Sequence, residues 1–317
     1  MNTLLTWGHP ATDTLLSTTT HHWLETDATE QVFNQTPLLK KLKSKARMIN
    51  GGASGLVPLM IEENSTATWY SGYDTIDITP QEGFTNSQPV WKNLADSISI
   101  SGDEFRRNNG KDKVIDILRG KTVQAKLSLN AQLTTALFAA AQGSKAIMPL
   151  ALMVDATSSI QDINSTTYSF WQADVNASGS FAGQGLDDMR TLYTDIGMRS
   201  PATNVDTIVS TSTVYNYYEK SLQPQARYSS MSSADASFES LRFKASDVFY
   251  DSQCTSGVMY MFPSQHLYFV INTNADMTPT EYVKPANQDA RVAQVVIMLM
   301  FVTNARRKLG KLTGISA

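Results

Sequence analysis

GGASGLVPLMIEENSTATWYSGYDTIDITPQEGFTNSQPVWKNLADSISIS, residues 51–101, is the stretch on which the fold turns. A first limb runs from Leu56 to about Thr79, where Ile76 and Ile78 alternate with Thr75, Asp77 and Thr79. A second runs from about Gln88 to Ser101 and ends in the strict alternation Ile98-Ser99-Ile100-Ser101. A period of two marks a half-buried strand. Pro80-Gln81-Glu82-Gly83 between the limbs is turn chemistry, Pro fixing φ and Gly free to take φ > 0. Pairing over about 14 residues at about 3.3 Å each predicts a ribbon about 45 Å long. An isolated two-stranded ribbon is marginal in water. The arm is therefore expected to bury itself against another subunit.

Five aromatic residues, Trp69, Tyr70, Tyr73, Phe84 and Trp91, lie in this stretch. They would be core on a globular strand and anchors at a subunit interface on a projecting ribbon. Base stacking is a third reading, opposed by the acidic surroundings. Gly51–Glu104 holds eight acids (Glu62, Glu63, Asp74, Asp77, Glu82, Asp96, Asp103, Glu104) against one basic residue, Lys92. Just upstream, Leu38–Arg47 carries Lys40, Lys41, Lys43, Lys45 and Arg47. That run is either a solvated amphipathic helical turn or a docking segment whose lysines meet the acids of another copy. Residues 1–37 are Thr-rich and weakly patterned, consistent with an extended N-terminal segment.

Downstream, Ser101-Gly102-Asp103-Glu104 offers an N-cap and early acids, and Asn108-Asn109-Gly110 interrupts. Lys111–Ala141 then reads as one long helix, with Val114, Leu118, Ala125, Leu129, Leu133 and Leu137 on a single stripe. Pro149–Asp155 reads as a short buried strand, Leu186–Gly197 as a helix, Val205–Ser210 as a strand and Thr213–Ser221 as a short helix. A polar loop is expected at Ala226–Ser237, followed by strands at Leu241–Tyr250 and Gly257–Ile271 and a linker at Asn272–Thr278. The chain closes with a strand at Gln294–Phe301 and a polar turn at Asn304–Lys308. Helices and strands mix without βαβ regularity, so the class is α+β.

The 317 residues suffice for one large domain or two ordinary ones, and a net charge of -3 gives no basic field for nucleic acid. Cys254 is the only cysteine, which excludes an intrachain disulfide and a CxxC metal site. No secretory signal is visible, and the longest apolar run, Val295–Val302, is far short of the roughly 20 residues a membrane helix needs. It suits a strand buried on both faces. Four N-x-Ser/Thr sequons (Asn34, Asn64, Asn164, Asn176) carry no meaning without secretion.

Catalytic signatures fail on spacing. Gly120-Lys121-Thr122 lacks the glycine five places earlier that a phosphate loop needs, since that position is Ile115. Gly51-Gly52-Ala53-Ser54-Gly55 departs from a nucleophile elbow and reads as the hinge of the arm. Gly183-Gln184-Gly185 has no partner glycine, and Asp187-Asp188 suits a helix N-terminus. His9, His21, His22 and His266 form no H-E-x-x-H motif. No catalytic, metal or cofactor residue is assigned, and the chain does not read as an enzyme.

Several strings, in order and spacing, resemble the major capsid proteins of tailed double-stranded DNA phages. They are Glu63-Asn64-Ser65-Thr66, Tyr70-Ser71-Gly72-Tyr73, Asp77-Ile78-Thr79-Pro80 with Trp91, Ile100-Ser101-Gly102-Asp103-Glu104, Ser169-Phe170-Trp171 and Asn287-Gln288-Asp289-Ala290. The likeness covers about residues 37–317. It implies the Hong Kong 97 phage-type fold, with an N-terminal arm at 1–50, an extended loop over a neighbour at 51–101 and a peripheral domain with a spine helix at 102–180. An axial domain at 181–278 and peripheral strands at 279–317 complete that layout. The implied function is a shell subunit that forms hexamers and pentamers of an icosahedral head around double-stranded DNA, assembled in the host bacterial cytoplasm. Lys40, Lys41, Lys43, Lys45, Trp69, Tyr70, Tyr73, Phe84 and Trp91 are then the candidate inter-subunit contacts. Partners would be the chain itself, a portal protein, a decoration protein and packaged DNA held by non-specific contact, with no membrane.

Two departures from the family pattern set further expectations. Some members carry a cleaved N-terminal scaffolding domain, whereas barely 40 residues precede the matching region here, so a separate scaffolding protein and no maturation cleavage are expected. Some crosslink through a loop lysine, but none lies between Arg47 and Lys92, so a non-covalent shell is expected. Rival readings are an encapsulin-like nanocompartment, a serine-dependent hydrolase and a β-rich adhesin, the last lacking an export signal.

Overall fold

The computed structural model describes residues 34–107, 117–222 and 241–317. The readings for residues 1–33, Asn108–Asp116 and Ala226–Ser237, with Val114, His9, His21 and His22, lie outside them.

Strand pairing builds two sheets. In the first, strands β1 (Arg47–Ile49), β10 (Leu267–Pro279), β11 (Ala290–Thr303) and β4 (Lys92–Ser101) lie in the order β1-β10-β11-β4. The second runs β5-β12-β9-β6-β8-β7, from β5 (Asp174–Ala177), β12 (Gly310–Thr313), β9 (Met259–Phe262), β6 (Thr207–Ser210), β8 (Ser246–Tyr250) and β7 (Leu241–Phe243). A separate pair joins β2 (Val57–Met60) to β3 (Phe84–Ser87). Among the described residues, six α-helices pack around them: α1 (Pro37–Ser44), α2 (Gly102–Arg107), α3 (Ile117–Leu137), α4 (Leu150–Met153), α5 (Leu186–Met198) and α6 (Ser212–Leu222).

The second sheet is a wall between two hydrophobic cores, and alternation shows why. On β9, Tyr260 and Phe262 point into one core while Met259 and Met261 point into the other, and all four are buried. The pairs Val209 and Ile208, and Phe249 and Val248, split the same way. A strand buried on both faces reads as a continuous apolar run. The larger core gathers α1, α3, one face of the first sheet and Trp171; the smaller gathers α5 and α6.

Four readings need correction. The alternation at Ile98–Ser101 belongs to β4, paired antiparallel with β11 along its whole length, and not to the ribbon. Ile98 and Ile100 are indeed buried, but by their own subunit. A period of two reports one covered face and is silent about what covers it. Leu150–Met153 is one helical turn behind Pro149, where a strand was expected. Asn272–Thr278 continues β10 instead of linking, with register irregularities between Ile271 and Thr278 that let polar residues sit in a strand. Leu241–Tyr250 is a hairpin, reversed where Lys244 takes φ +54°.

The helix readings hold within the described residues. Ala125, Leu129, Leu133 and Leu137 form the buried stripe of α3. Helix α2 opens with a reciprocal capping box: Glu104 N donates to Ser101 Oγ (3.1 Å) and Ser101 N to Glu104 Oε2 (3.2 Å). Two of the strings quoted above meet there. Gly102 N donates to Asp289 O at 2.7 Å, and Arg106 holds the Asp289 carboxylate at 2.7 Å. A Cβ on Gly102 would fall 2.3 Å from that carboxylate, so glycine is required for the close approach.

Candidate subunit interface

The arm is tied down at its base and bare at its tip. Gly55 N donates to Pro89 O (3.1 Å), Trp91 Nε1 to Gly52 O (2.8 Å) and Gln88 N to Gln161 O (2.9 Å). β2 and β3 pair over four residues, and Ile61 N reaches Gly83 O (2.9 Å). Beyond that the ribbon ends, so the predicted 45 Å pairing is not formed and the reversal is spread over residues 62–82 instead of sitting at Pro80–Gly83. The tip is held by local turns. Asn64 Oδ1 accepts from Thr66 N (2.9 Å), Asp74 Oδ2 from Ser71 N (2.8 Å) and Asp77 Oδ1 from Thr79 N (3.0 Å). The hydrogen bonds from Thr79 hold the Asp77 carboxyl below its ordinary value.

This tip exposes what a soluble monomer usually covers. Trp69 and Tyr73 are 101% and 106% exposed, and Ile78 is 91% exposed. Tyr70, Met60 and Phe84 also face water. Clustered exposed apolar surface marks an interaction site. The aromatics Trp69, Tyr70, Tyr73 and Phe84 are therefore not core residues of this chain. Trp91 behaves differently: it is half-buried and packs on the small cluster of Tyr268, Val270, Met300 and Val302.

The basic segment forms helix α1, with Leu38, Leu39 and Leu42 fully buried in the larger core. Its lysines find partners on their own chain. Lys41 Nζ reaches Asp206 O (3.0 Å) and Asp247 Oδ2 (3.3 Å), Lys43 Nζ reaches Asn130 Oδ1 (2.8 Å), and Lys45 Nζ reaches Asp206 Oδ2 (3.0 Å). Docking is thus onto the second sheet and α3 of the same subunit, and the acids of the arm take no part in these contacts. Lys40, on the same helix, is exposed. Asp206, held below the ordinary carboxylate range against the opposing effect of its burial by Ser264, Thr207 and Lys45, was not singled out by the sequence.

Two short crossovers join the sheets, Pro263–His266 and Asn304–Leu309, and they meet where Asn304 N donates to His266 O (3.3 Å). The chain thus leaves the second sheet before position 278, and β12 returns to it, which departs from the implied layout of 181–278 and 279–317. The expected polar turn at Asn304–Lys308 is in fact a buried cationic clamp. Arg306, fully buried, donates to the carbonyls of Met153 (3.0 Å), Leu152 (2.8 Å), Ser158 (2.6 Å) and Trp171 (3.2 Å). Lys308 Nζ, also fully buried, donates to Ile196 O (2.6 Å), Gly197 O (3.3 Å) and Thr203 O (3.0 Å). A cation on the open carbonyls at the end of α5 satisfies them and opposes the helix dipole. Burial lowers the Arg306 guanidinium to about 10, so it stays charged at neutral pH.

His266 sits in the same junction, its ring against Asn304 Oδ1 (2.7 Å) and Thr203 Oγ1 (2.9 Å). Desolvation lowers its pKa, with Lys308 and Arg47 adding repulsion and Asp206 and Asn304 opposing. Folding therefore favours the neutral ring, and the unfolded chain binds the proton more readily near its ordinary 6.5. Stability from this group is complete above that value and is lost as pH falls below it. Urea unfolding between neutral and mildly acidic pH should show a decline that His266→Gln flattens; an unchanged slope in the variant would reject the assignment.

No family model matches the chain, and no curated protein matches it in sequence. Solved structures do match. The chain is similar to a subunit in the "Capsid of native GTA particle", at 11% identity and TM-score 0.69, over 98% of this chain and 100% of that one. It is similar to a subunit of the cyanophage A-1(L) capsid, at 13% identity and TM-score 0.62, over 96% and 99%. A structure from Mycobacterium phage Bobi matches at 11% identity and TM-score 0.61, over 96% and 98%. With likeness along essentially the whole of each chain, the protein has the α+β fold of phage capsid subunits, the Hong Kong 97 phage type.

Proposed function

We propose that this chain is a structural shell subunit that assembles into hexamers and pentamers and closes them into an icosahedral phage head around double-stranded DNA. One observation carries the reading: a capsid-type fold holds out an arm whose tip aromatics, Trp69 and Tyr73, are fully exposed to water. Each arm would bury that surface on a neighbour, at roughly 25 cal/mol per Å². The role is mechanical, with no catalytic step. Portal, scaffolding and decoration proteins are its expected partners, and the packaged genome would be met only through non-specific contact. A net charge of -3 suits an inner wall that does not grip DNA. Assembly would take place in the host bacterial cytoplasm, and the finished protein would reside in the virion.

Electron microscopy of the purified recombinant protein tests this directly. Closed particles or rings are the expected result, and a lone globule at all concentrations would reject the reading. A DNA-free particle that retained a co-expressed enzyme would favour an encapsulin-like shell instead. Because Arg47–Lys92 contains no lysine between its ends, denaturing gels of particles should show single subunits and no ladder of linked ones. A ladder would overturn the non-covalent shell.

A further inference from the structure

Resting on the shell reading, we infer that the aromatic tip of one copy's arm seats Trp69 in a cleft at the base of the next copy's arm. The cleft has a volume of about 380 Å³ and is lined by Pro89, Val90, Ile147, Met148 and Phe301, with Gln88, Lys92, Gln142, Gln161 and Asp162 supplying polar groups. Apolar and polar side chains share the lining equally, which suits an indole with its apolar ring and single N–H donor, and the volume lies in the range that holds small ligands. Val90 is 62% exposed at this cleft, so one of its apolar walls is open to an incoming group.

The charges agree. From residue 48 to 91 the arm carries Glu62, Glu63, Asp74, Asp77 and Glu82 and no basic residue. Lys92 lines the cleft, with its Nζ 3.4 Å from Ser144 O, and Lys145 is exposed on the adjoining turn; Asp162 is the one acid in the lining. An acidic stalk carrying an aromatic knob thus meets Lys92 and Lys145 beside the seat, with Asp162 the one opposing charge in its lining.

Reach and symmetry agree as well. From Val57 to Gly72 the extended chain spans at most about 50 Å, enough to cross to an adjacent subunit. Knob and seat are different surfaces of one chain, so repeated head to tail the contact is heterologous and closes into a ring when its rotation allows. A two-fold dimer could exchange knobs reciprocally, so linked species larger than a dimer are what mark the ring. Each ring member would give one knob and receive one.

The test is a trans disulfide that keeps Trp69 intact. Chains carrying Tyr70→Cys and chains carrying Val90→Cys are mixed, assembled and oxidised. Cys254 is buried, its thiol pushed up to about 12, and stays silent. Linked dimers are expected from the mixture and from neither variant alone; the double variant Tyr70→Cys/Val90→Cys should give ladders up to closed rings. Particles that form normally without linkage, or link equally through a control pair of Tyr70→Cys with Arg190→Cys, overturn the seat while leaving the shell reading intact. Val90→Arg, which leaves the exposed position foldable, should lose rings while the circular dichroism spectrum is unchanged; normal rings from it would also overturn the seat. Wild-type protein that never assembles would remove the shell reading and the seat together.

Discussion

Arg306→Ala is expected to leave the subunit largely unfolded or insoluble, with no particles formed. The guanidinium is the shared donor for carbonyls of Leu152, Met153, Ser158 and Trp171, all brought together in the interior. Alanine would take a donor from each of these acceptors, with Leu152 O and Ser158 O keeping Ser158 Oγ and Ser165 Oγ as partners, and each unmade buried bond costs about 1–3 kcal/mol. The lost bonds come from a charged donor, each worth about 1.5–3 kcal/mol, so the total is several kcal/mol. Domains are stable by only about 5–15 kcal/mol, so this one substitution takes a large fraction of the total. Arg306→Lys keeps the charge but loses the planar fork, and should fall between wild type and Ala. Arg307→Ala, at an exposed neighbouring side chain, should lie within about 0.5 kcal/mol of wild type. Urea unfolding followed by tryptophan fluorescence separates these cases. A loss below about 1 kcal/mol for Arg306→Ala would mean that water or main-chain movement replaces the donors, and the clamp would be no clamp.

That clamp also shows what the sequence could carry. Three cations in a row, Arg306-Arg307-Lys308, between apolar Val302 and Leu309 read naturally as a solvated turn. The burial of Arg306 and Lys308, with Arg307 left outside, depends on carbonyls contributed from residues 152–171 and 196–203, and no local pattern encodes those distances. The long strand at Val295–Val302 and the stripe of α3 were legible because burial imposes a period on the chain itself. The alternation in β4 is legible too, but its partner β11 lies nearly 200 residues away, while the other limb of the arm is close in sequence and equally alternating. The intrachain partners of the α1 lysines were hidden for a related reason. The lysines' positive charge was plain, yet the acids they reach, Asp206 and Asp247, are distant in sequence while the acids of the arm are close. The aromatics divide along the same line: Trp69 and Tyr73 stand exposed on the projecting arm, the setting in which they were read as interface anchors, whereas Trp91 follows Pro89 at the hydrogen-bonded base and packs inward.

Replacing Trp69 and Tyr73 together by Ala should abolish assembly at ordinary concentrations without weakening the folded subunit. Both side chains are fully exposed in the isolated chain, so folding loses nothing that it had gained, and the unfolding midpoint should move by no more than about 0.5 kcal/mol. The assembled state is different. Aromatic anchors that fill pockets at interfaces commonly cost about 2 kcal/mol each when truncated. Two per subunit give about 4 kcal/mol, which raises the concentration needed for assembly by nearly a thousandfold. Light scattering against concentration measures that threshold, and the same samples in urea measure the fold. Trp91→Ala should give the opposite profile, because that ring packs against Tyr268, Val270, Met300 and Val302 within its own subunit: a weaker fold, and a threshold altered only in proportion. An unchanged threshold for the double variant would mean that the tip hangs free in the assembled particle. The apolar surface it shows to water would then have to be covered by something other than a second copy of this chain.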